Sequence, residues 1–395
     1  MKVLFVTTSF PRFENDFVGS FVFRFAKYLV EAGVDVTALA PGAPGIDNRG
    51  EIDGVNIVRF TYFLPRGKQR LCYEDGGILA NLRRSLLANV QLPFMLLFLV
   101  LSIRRLCRQA DVIHCHWLPT VWAVWLAKRL AFSAAPIVFT NWGSDTRLFP
   151  KWAIRLSLKA IDRVVSTAVE TDRHLQAVGY EHFERVMAPV DEDRFGAATD
   201  PAPLLAELGV VEDGPPIISF VGRLNYFKDP LTFIRSCQVL RKTGVPFLAL
   251  MAGDGDLRKD CERLIENLDI GASVRLLGVR YDVEQLFAAS AATVHISPVE
   301  NTWASSIAEA MFTHCPVLLS DAGYTRSTFT HLEDCYIARA GDPESIAAGL
   351  KALIEDRTLA ERLTEGALGL LKRHGKYKDT ITRQMIDIYR GLATG

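Results

Sequence analysis

The sequence predicts an α/β protein of two doubly wound, Rossmann-like parallel-sheet domains facing each other across a cleft. Three observations lead there. Short β-rich apolar runs alternate with longer segments of helical periodicity, the pattern of parallel strands covered by helices on both sides. At 395 residues the chain is too long for one ordinary domain and suits two. Near its middle, GAATDPAPLLAELGVVEDGPP, from Gly196 to Pro216, is rich in Pro, Gly and acid and reads as a link.

In the first half the expected strands are KVLFVTT, VDVTALAP, GVNIVRF, DVIHCHW, PIVFTN, RVVSTA and RVMAP. Phe21, Phe25, Leu29 and Ala32 repeat at helical spacing after the first of these, and Gly33 stands where a C-cap belongs. In the second half the strands are PIISFV, PFLALMAG, VRLLG, AATVHIS and PVLLS. Ligands of such sheets bind beyond the carboxyl ends of the strands, so the loops that follow the strands carry the function.

Charge and cysteines bound the class. The formal net charge is zero, but residues 1–195 hold 24 Lys+Arg against 19 Asp+Glu (+5), and residues 196–395 hold 21 against 26 (−5). The first half therefore leans toward anionic partners. Seven cysteines, an odd number without CxxC pairs or metal-ligand spacing, fit a reducing, cytoplasmic setting. MKVLFVTTSF reads as a first buried strand and not as a signal peptide. The apolar run from Leu92 to Ile103 contains Pro93 and, by itself, is shorter than the ~20 residues that span a bilayer. No GxxxxGK[ST] phosphate loop and no GxGxxG between strand and helix is present, so neither a P-loop nucleotidase nor a nicotinamide dehydrogenase is supported, and nucleic acid is not an expected partner.

Two loops hold candidate chemistry. In FVGRLNYFKDPLTF, residues 220–233, a strand gives way to a helix with Asp229 at the N-cap and Pro230 at the first helical position. Arg223 and Lys228 then flank unpaired backbone N–H groups at the positive end of a helix, a place for a phosphate or diphosphate; two solvated surface cations are the plainer alternative. After AATVHIS comes PVENTWASSIAEAMFTHCPVLLS, with Glu300 and Glu309 as its acids. Ser306 and Glu309 can form a capping box, or the carboxylates can accept hydrogen bonds from vicinal hydroxyls of a ribose or sugar.

FVGRLNYFKDP, MAGDGDLRKDCERL and VRLLGVRYDVEQLFAASAATVHISPVENTWASSIAEAM resemble, in order and spacing, the donor half of retaining glycosyltransferases of family 4, which have the GT-B fold. The resemblance continues through TTSFPRFENDFVGSFVFRFAKYLVEAGVDVTALAP, DVIHCHW, FTNWGSD and PVDEDRF, nearly the whole chain. It implies an N-terminal acceptor-binding domain, 1–200, joined by the C-terminal helix 379–395, and a donor-binding domain, 201–378. Arg223 and Lys228 would hold the diphosphate of a nucleotide sugar and Glu309 its ribose. Glu300, Asn301 and Thr302 would face the transferred sugar, and Gly278, Val279 and Arg280 would lie against the base. Gly19 would let the first domain's backbone approach the phosphates; an ordinary turn residue is its alternative.

The chain departs from the family pattern in three places. Eight residues, Asn301 to Ala308, separate the two glutamates where seven are usual, so either Glu300 or Asn301 takes the first motif position. Trp142 stands in NWGSD where many members have His, leaving Asp145 or His116 to line the reaction centre. MAPVDEDRF lacks the usual Asn-Gly before Val-Asp. The DxD pairs Asp191/Asp193 and Asp254/Asp256 are read as a linker approach and a helix start, so no metal and no cofactor is expected beyond the nucleotide sugar.

The implied reaction is retaining sugar transfer to an acceptor hydroxyl, in bacterial surface polysaccharide or glycolipid assembly. A nucleotide-sugar epimerase or hydrolase of the same fold and a non-catalytic partner subunit are the alternatives. For the acceptor, Asn89–Gln109 is strongly apolar and flanked by Arg83, Arg84, Arg104, Arg105 and Arg108. It reads either as a buried helix of the first sheet or as a helix resting on the inner membrane face, with a glycan or lipid-linked acceptor.

Overall fold

The computed structural model describes residues 1–395 except 15, 17, 74–76, 143–148, 168, 212–213, 299–302, 324 and 394–395. The chain forms two compact units, Met1–Pro189 with Lys378–Gly395, and Val190–Tyr377.

The strands of the first unit are β1 (Lys2–Val6), β2 (Asp35–Pro41), β3 (Arg49–Ile52), β4 (Val55–Phe60), β5 (Val112–His116), β6 (Ile137–Asn141), β7 (Arg163–Ser166) and β8 (Phe183–Arg185). They lie in the order β3-β4-β2-β1-β5-β6-β7-β8, parallel except for the β3–β4 pair. The apolar runs become strands because both faces of this sheet are covered. Over one face lie α1 (Ser20–Glu31) and the C-terminal helix Lys378–Ala393, which seats Ile381, Met385 and Tyr389 against Phe5, Phe25 and Val112. Over the other lie α2 (Gly77–Arg84), α3 (Leu86–Leu106), α4 (Leu118–Ala131) and α5 (Lys151–Leu158), packed on Leu4, Val6, Ile113 and Phe139.

The apolar run near Pro93 is part of a longer element than the sequence suggested. Ser85 caps α3, accepting from Ala88 N at 3.3 Å, and the helix runs through Leu106. With the short turn that follows, Leu86–Gln109 is long and apolar enough to cross a membrane by length and composition. It is nevertheless committed to the core, because Ala88, Gln91, Met95, Leu99 and Ile103 form one buried stripe.

The second unit carries β9 (Ile217–Val221), β10 (Leu248–Ala252), β11 (Val274–Gly278), β12 (Ser290–His295), β13 (Val317–Ser320) and β14 (Tyr336–Ala338), all parallel, in the order β11-β10-β9-β12-β13-β14. The segment expected as an inter-domain link instead holds a helix, Ala202–Leu208, because Leu204 buries itself against Ile217, Leu250 and Leu286. All seven cysteines are buried and unpaired.

Candidate functional site

Each sheet reverses its direction of growth at its first strand: β1 lies between β2 and β5, and β9 between β10 and β12. Loops diverge at such a point and leave a crevice beyond the strand ends. Arg223 and Lys228 follow β9, Glu309 follows β12, Gly19 follows β1, and His116 ends β5.

The loop after β9 has the expected form. The Asp229 side chain accepts from Thr232 N at 3.3 Å, and Pro230 opens the helix Pro230–Lys242. Leu224 is buried and anchors the loop, so Arg223 beside it points to solvent; among the described residues the Arg223 guanidinium has no carboxylate partner. The stem of Lys228 runs over Gly222, whose added Cβ would lie 3.6 Å from Lys228 Cγ. Lys228 thus stands next to the N-cap of a thirteen-residue helix and Arg223 on the loop that leads to it, an arrangement that fits an anion of more than one charge.

Backbone hydrogen bonds lace this loop to its neighbours. Gly222 N donates to Ala252 O at 3.0 Å, Leu224 N to Asp254 O at 3.0 Å, and Gly253 N to Gly278 O at 2.7 Å. Gly253 makes the close approach possible: a Cβ there would sit 1.9 Å from Gly222 O. The lacing brings Gly278 within reach of the Arg223 loop, while Val279 is exposed. Arg280 is otherwise engaged. Its guanidinium bridges Asp282 and Glu207, at 2.9 and 2.8 Å for the longer bonds, so its side chain braces the loop and what faces outward is Val279 with the Gly278 backbone.

On the β12 side, Glu300, Asn301 and Thr302 lie outside the described residues. The next helix, Ser305–Phe312, has Ala304 at its N-cap with no side-chain cap, so Ser306 sits inside the helix and the capping box with Glu309 does not form. Glu309 is 8% exposed and lies within electrostatic reach of Lys376, which is 1% exposed. Burial pushes the Lys376 ammonium down to about 7 while the Glu309 carboxylate pulls it up, and its Nζ stands 4.9 Å from the Trp303 ring centroid. Nothing in HGKYK distinguishes Lys376 from a solvated cation, so sequence reasoning missed it.

In the first unit Gly19 adopts φ +70° at the N-cap of α1, and a Cβ would come within 2.5 Å of Ser9 O. The position therefore needs glycine for packing against its own loop, whatever else approaches it. Asp145 lies outside the described residues. His116 is fully buried, its ring stacked 6.0 Å from Trp142 and tilted 4.3 Å from His114, and both burial and His114 hold it well below the usual imidazole range. The imidazole is enclosed among aromatic rings. Trp142 also meets Phe21 at 4.5 Å, and Phe21 meets Trp117 at 5.9 Å, an aromatic cluster at the strand ends. Of the DxD residues, Asp254 pairs with Arg258 at 3.7 Å; among the described residues no three His, Cys, Asp or Glu side chains group as metal ligands.

Comparison with known proteins gives this arrangement a class. Residues 18–190 match the family described as glycosyl transferase 4-like domain, and residues 209–368 match glycosyl transferases group 1. The chain is 26% identical over 361 residues to 2-deoxystreptamine glucosyltransferase of Streptomyces kanamyceticus, covering 85% of this chain and 89% of that one. An uncharacterized glycosyltransferase of Methanocaldococcus jannaschii is 28% identical over 183 residues, 46% of each chain. Among solved structures, HepE of Anabaena in complex with UDP-glucose superposes with a TM-score of 0.74 at 18% identity, covering 99% of this chain and 100% of that one. Sucrose-phosphate synthase of Thermosynechococcus elongatus does so with 0.77 at 17% identity, covering 99% and 98%. At such identities these likenesses fix the fold. The chain belongs to the GT4-like glycosyltransferases of GT-B fold.

Proposed function

We propose that this glycosyltransferase moves a sugar from a nucleoside diphosphate sugar to an acceptor hydroxyl with retention of anomeric configuration, the acceptor being a glycan or a lipid-linked saccharide of bacterial surface polysaccharide or glycolipid assembly. The observation that carries the donor half is that Arg223, an exposed cation with no carboxylate partner among the described residues, and Lys228 lie on the one loop that leads from β9 into the helix Pro230–Lys242. The UDP-glucose complex of HepE, a protein of the same fold, supports it.

In this reading Arg223 and Lys228 stabilise the negative charge that grows on the leaving diphosphate, a service usually worth ~3 kcal/mol per donor, and no metal is required. Glu309, set by Lys376, accepts from the ribose hydroxyls, and the base lies against Gly278 and Val279. Glu300, Asn301 and Thr302 face the sugar, and Asp145 lines the reaction centre. Retention without a protein nucleophile follows the front-face scheme, in which the departing phosphate oxygen takes the acceptor proton.

A panel of nucleotide sugars tests the reading, since a ligand of the native state raises the melting temperature. The donor so found is then turned over with saccharide acceptors, and the anomeric proton coupling of the product is read by NMR. A product with the donor's configuration supports the proposal. Inversion overturns retention; conversion of the donor to free or epimeric sugar without acceptor identifies a hydrolase or epimerase instead.

A further inference from the structure

The helix layer α3–α5 buries its inner side and leaves its outer side apolar. Phe94 and Leu97 of α3, Trp125 and Leu130 of α4, and Trp152 of α5 are all exposed, Trp152 to 67%. Phe132, which ends α4, is 92% exposed and held there in a left-handed backbone conformation, φ 55°, that favours glycine. The helices form one platform: Trp122 Nε1 of α4 donates to Ser157 Oγ of α5 at 2.6 Å, and α3 and α4 share a core with the sheet. Single exposed apolar residues are ordinary, but a contiguous aromatic and aliphatic face across three helices marks an interaction surface.

Charge identifies its partner. From Gly77 to Ile161 the sequence holds eleven Lys+Arg and two Asp+Glu, in a chain whose net charge is zero, and none of α2 to α5 contains an acid. On one side of Phe132 a hollow of 570 Å³ is lined by Lys128, Arg129 and Lys159, with Asp162 as its acid; on the other a hollow of 500 Å³ holds Arg108. Arg129 also stacks 4.2 Å over the ring of Trp125. Two copies of so cationic a face would repel each other. Tryptophan and phenylalanine interleaved with arginine and lysine suit the boundary between acyl chains and negatively charged headgroups.

We propose that the outer face of α3, α4 and α5 lies on an anionic phospholipid bilayer, with Phe132, Trp125 and Trp152 in the headgroup boundary and the basic residues of the two hollows on lipid phosphates. α3 lies on the membrane and does not cross it, because its inner stripe belongs to the sheet's core. The inference does not depend on the transfer reaction, and its assay contains no donor.

Flotation of the full chain with vesicles of phosphatidylcholine, alone or with phosphatidylglycerol, at low and high salt, tests it. The wild-type chain floats with anionic vesicles at low salt and is released by high salt. The pairs Phe132→Ser with Trp152→Ser, and Arg129→Glu with Lys159→Glu, each lower vesicle affinity roughly tenfold or more with the melting temperature retained. Brominated lipids quench the wild-type tryptophan fluorescence. A wild-type chain that stays soluble beside anionic vesicles at low salt overturns the proposal, as do variants that float as the wild type does. A concentration-dependent dimer, lost in the variants, without vesicle binding would assign the face to a second copy of the chain and overturn it too.

Discussion

His114 Nδ1 lies 2.6 Å from the hydroxyl of Tyr389, a residue 275 positions away in the C-terminal helix, and His114 Nε2 lies 2.6 Å from Thr140 Oγ1. The ring is fully buried between these hydroxyls, and burial lowers its pKa from 6.5 to about 3. The unfolded chain therefore takes up a proton below about 6.5 that the folded chain refuses until about 3. Stability falls as pH drops through that window, by up to ~1.4 kcal/mol per unit for this group. Urea unfolding at pH 7 and pH 5 should show the loss, and His114→Gln should flatten the slope. An unchanged slope in the variant would remove His114 from the account.

Gly253→Ala should destabilise the second unit by roughly 3 kcal/mol or more, since the new Cβ cannot coexist with Gly222 O and the backbone at φ 144° resists a side chain. Gly271→Ala is the control, because its Cβ would meet only Ile265 Cγ2 at 3.9 Å. Equal melting temperatures for the two variants would show that the laced loops tolerate displacement.

Glu309→Gln should weaken nucleoside diphosphate binding by ~1 to 3 kcal/mol, the worth of a hydrogen bond to a charged acceptor. Lys376→Met should weaken it as well, acting through the position of Glu309. Calorimetric titration decides the matter. Affinity unchanged in both variants would leave Glu309 and Lys376 as a buried structural pair.

Much of the fold was legible because parallel strands covered on both faces must be apolar throughout, as in KVLFV and IISFV. What the pattern missed lacks that signature. β3, RGEI, is a mostly exposed antiparallel edge, and β14 has three residues. The expected strand RVMAP is instead Phe183–Arg185, with Val186 N adding one bond to Ser166 O. Asp229 and Pro230 marked the helix at the phosphate loop because a cap is local chemistry. Ser306 misled because Ala304, with no capping side chain, starts its helix. Lys376 and the outward face of α4 were invisible for one reason: burial of a lysine and exposure of tryptophans both contradict what those residue types usually do.

Turnover should persist in EDTA, with the counter-charge for the diphosphate coming from Arg223, Lys228 and the helix N-terminus. Loss of activity on chelation, restored by Mg²⁺ or Mn²⁺, would place a metal in the donor site.

The cationic loop after β9 is the centre of the functional account, and binding of a nucleoside diphosphate against its parent nucleoside tests it most directly. Titrations of the wild type, Arg223→Ala and Lys228→Ala should show each variant losing ~1.5 to 3 kcal/mol of diphosphate affinity, with nucleoside affinity and melting temperature unchanged. Diphosphate affinity equal to wild type in both variants would contradict the assignment.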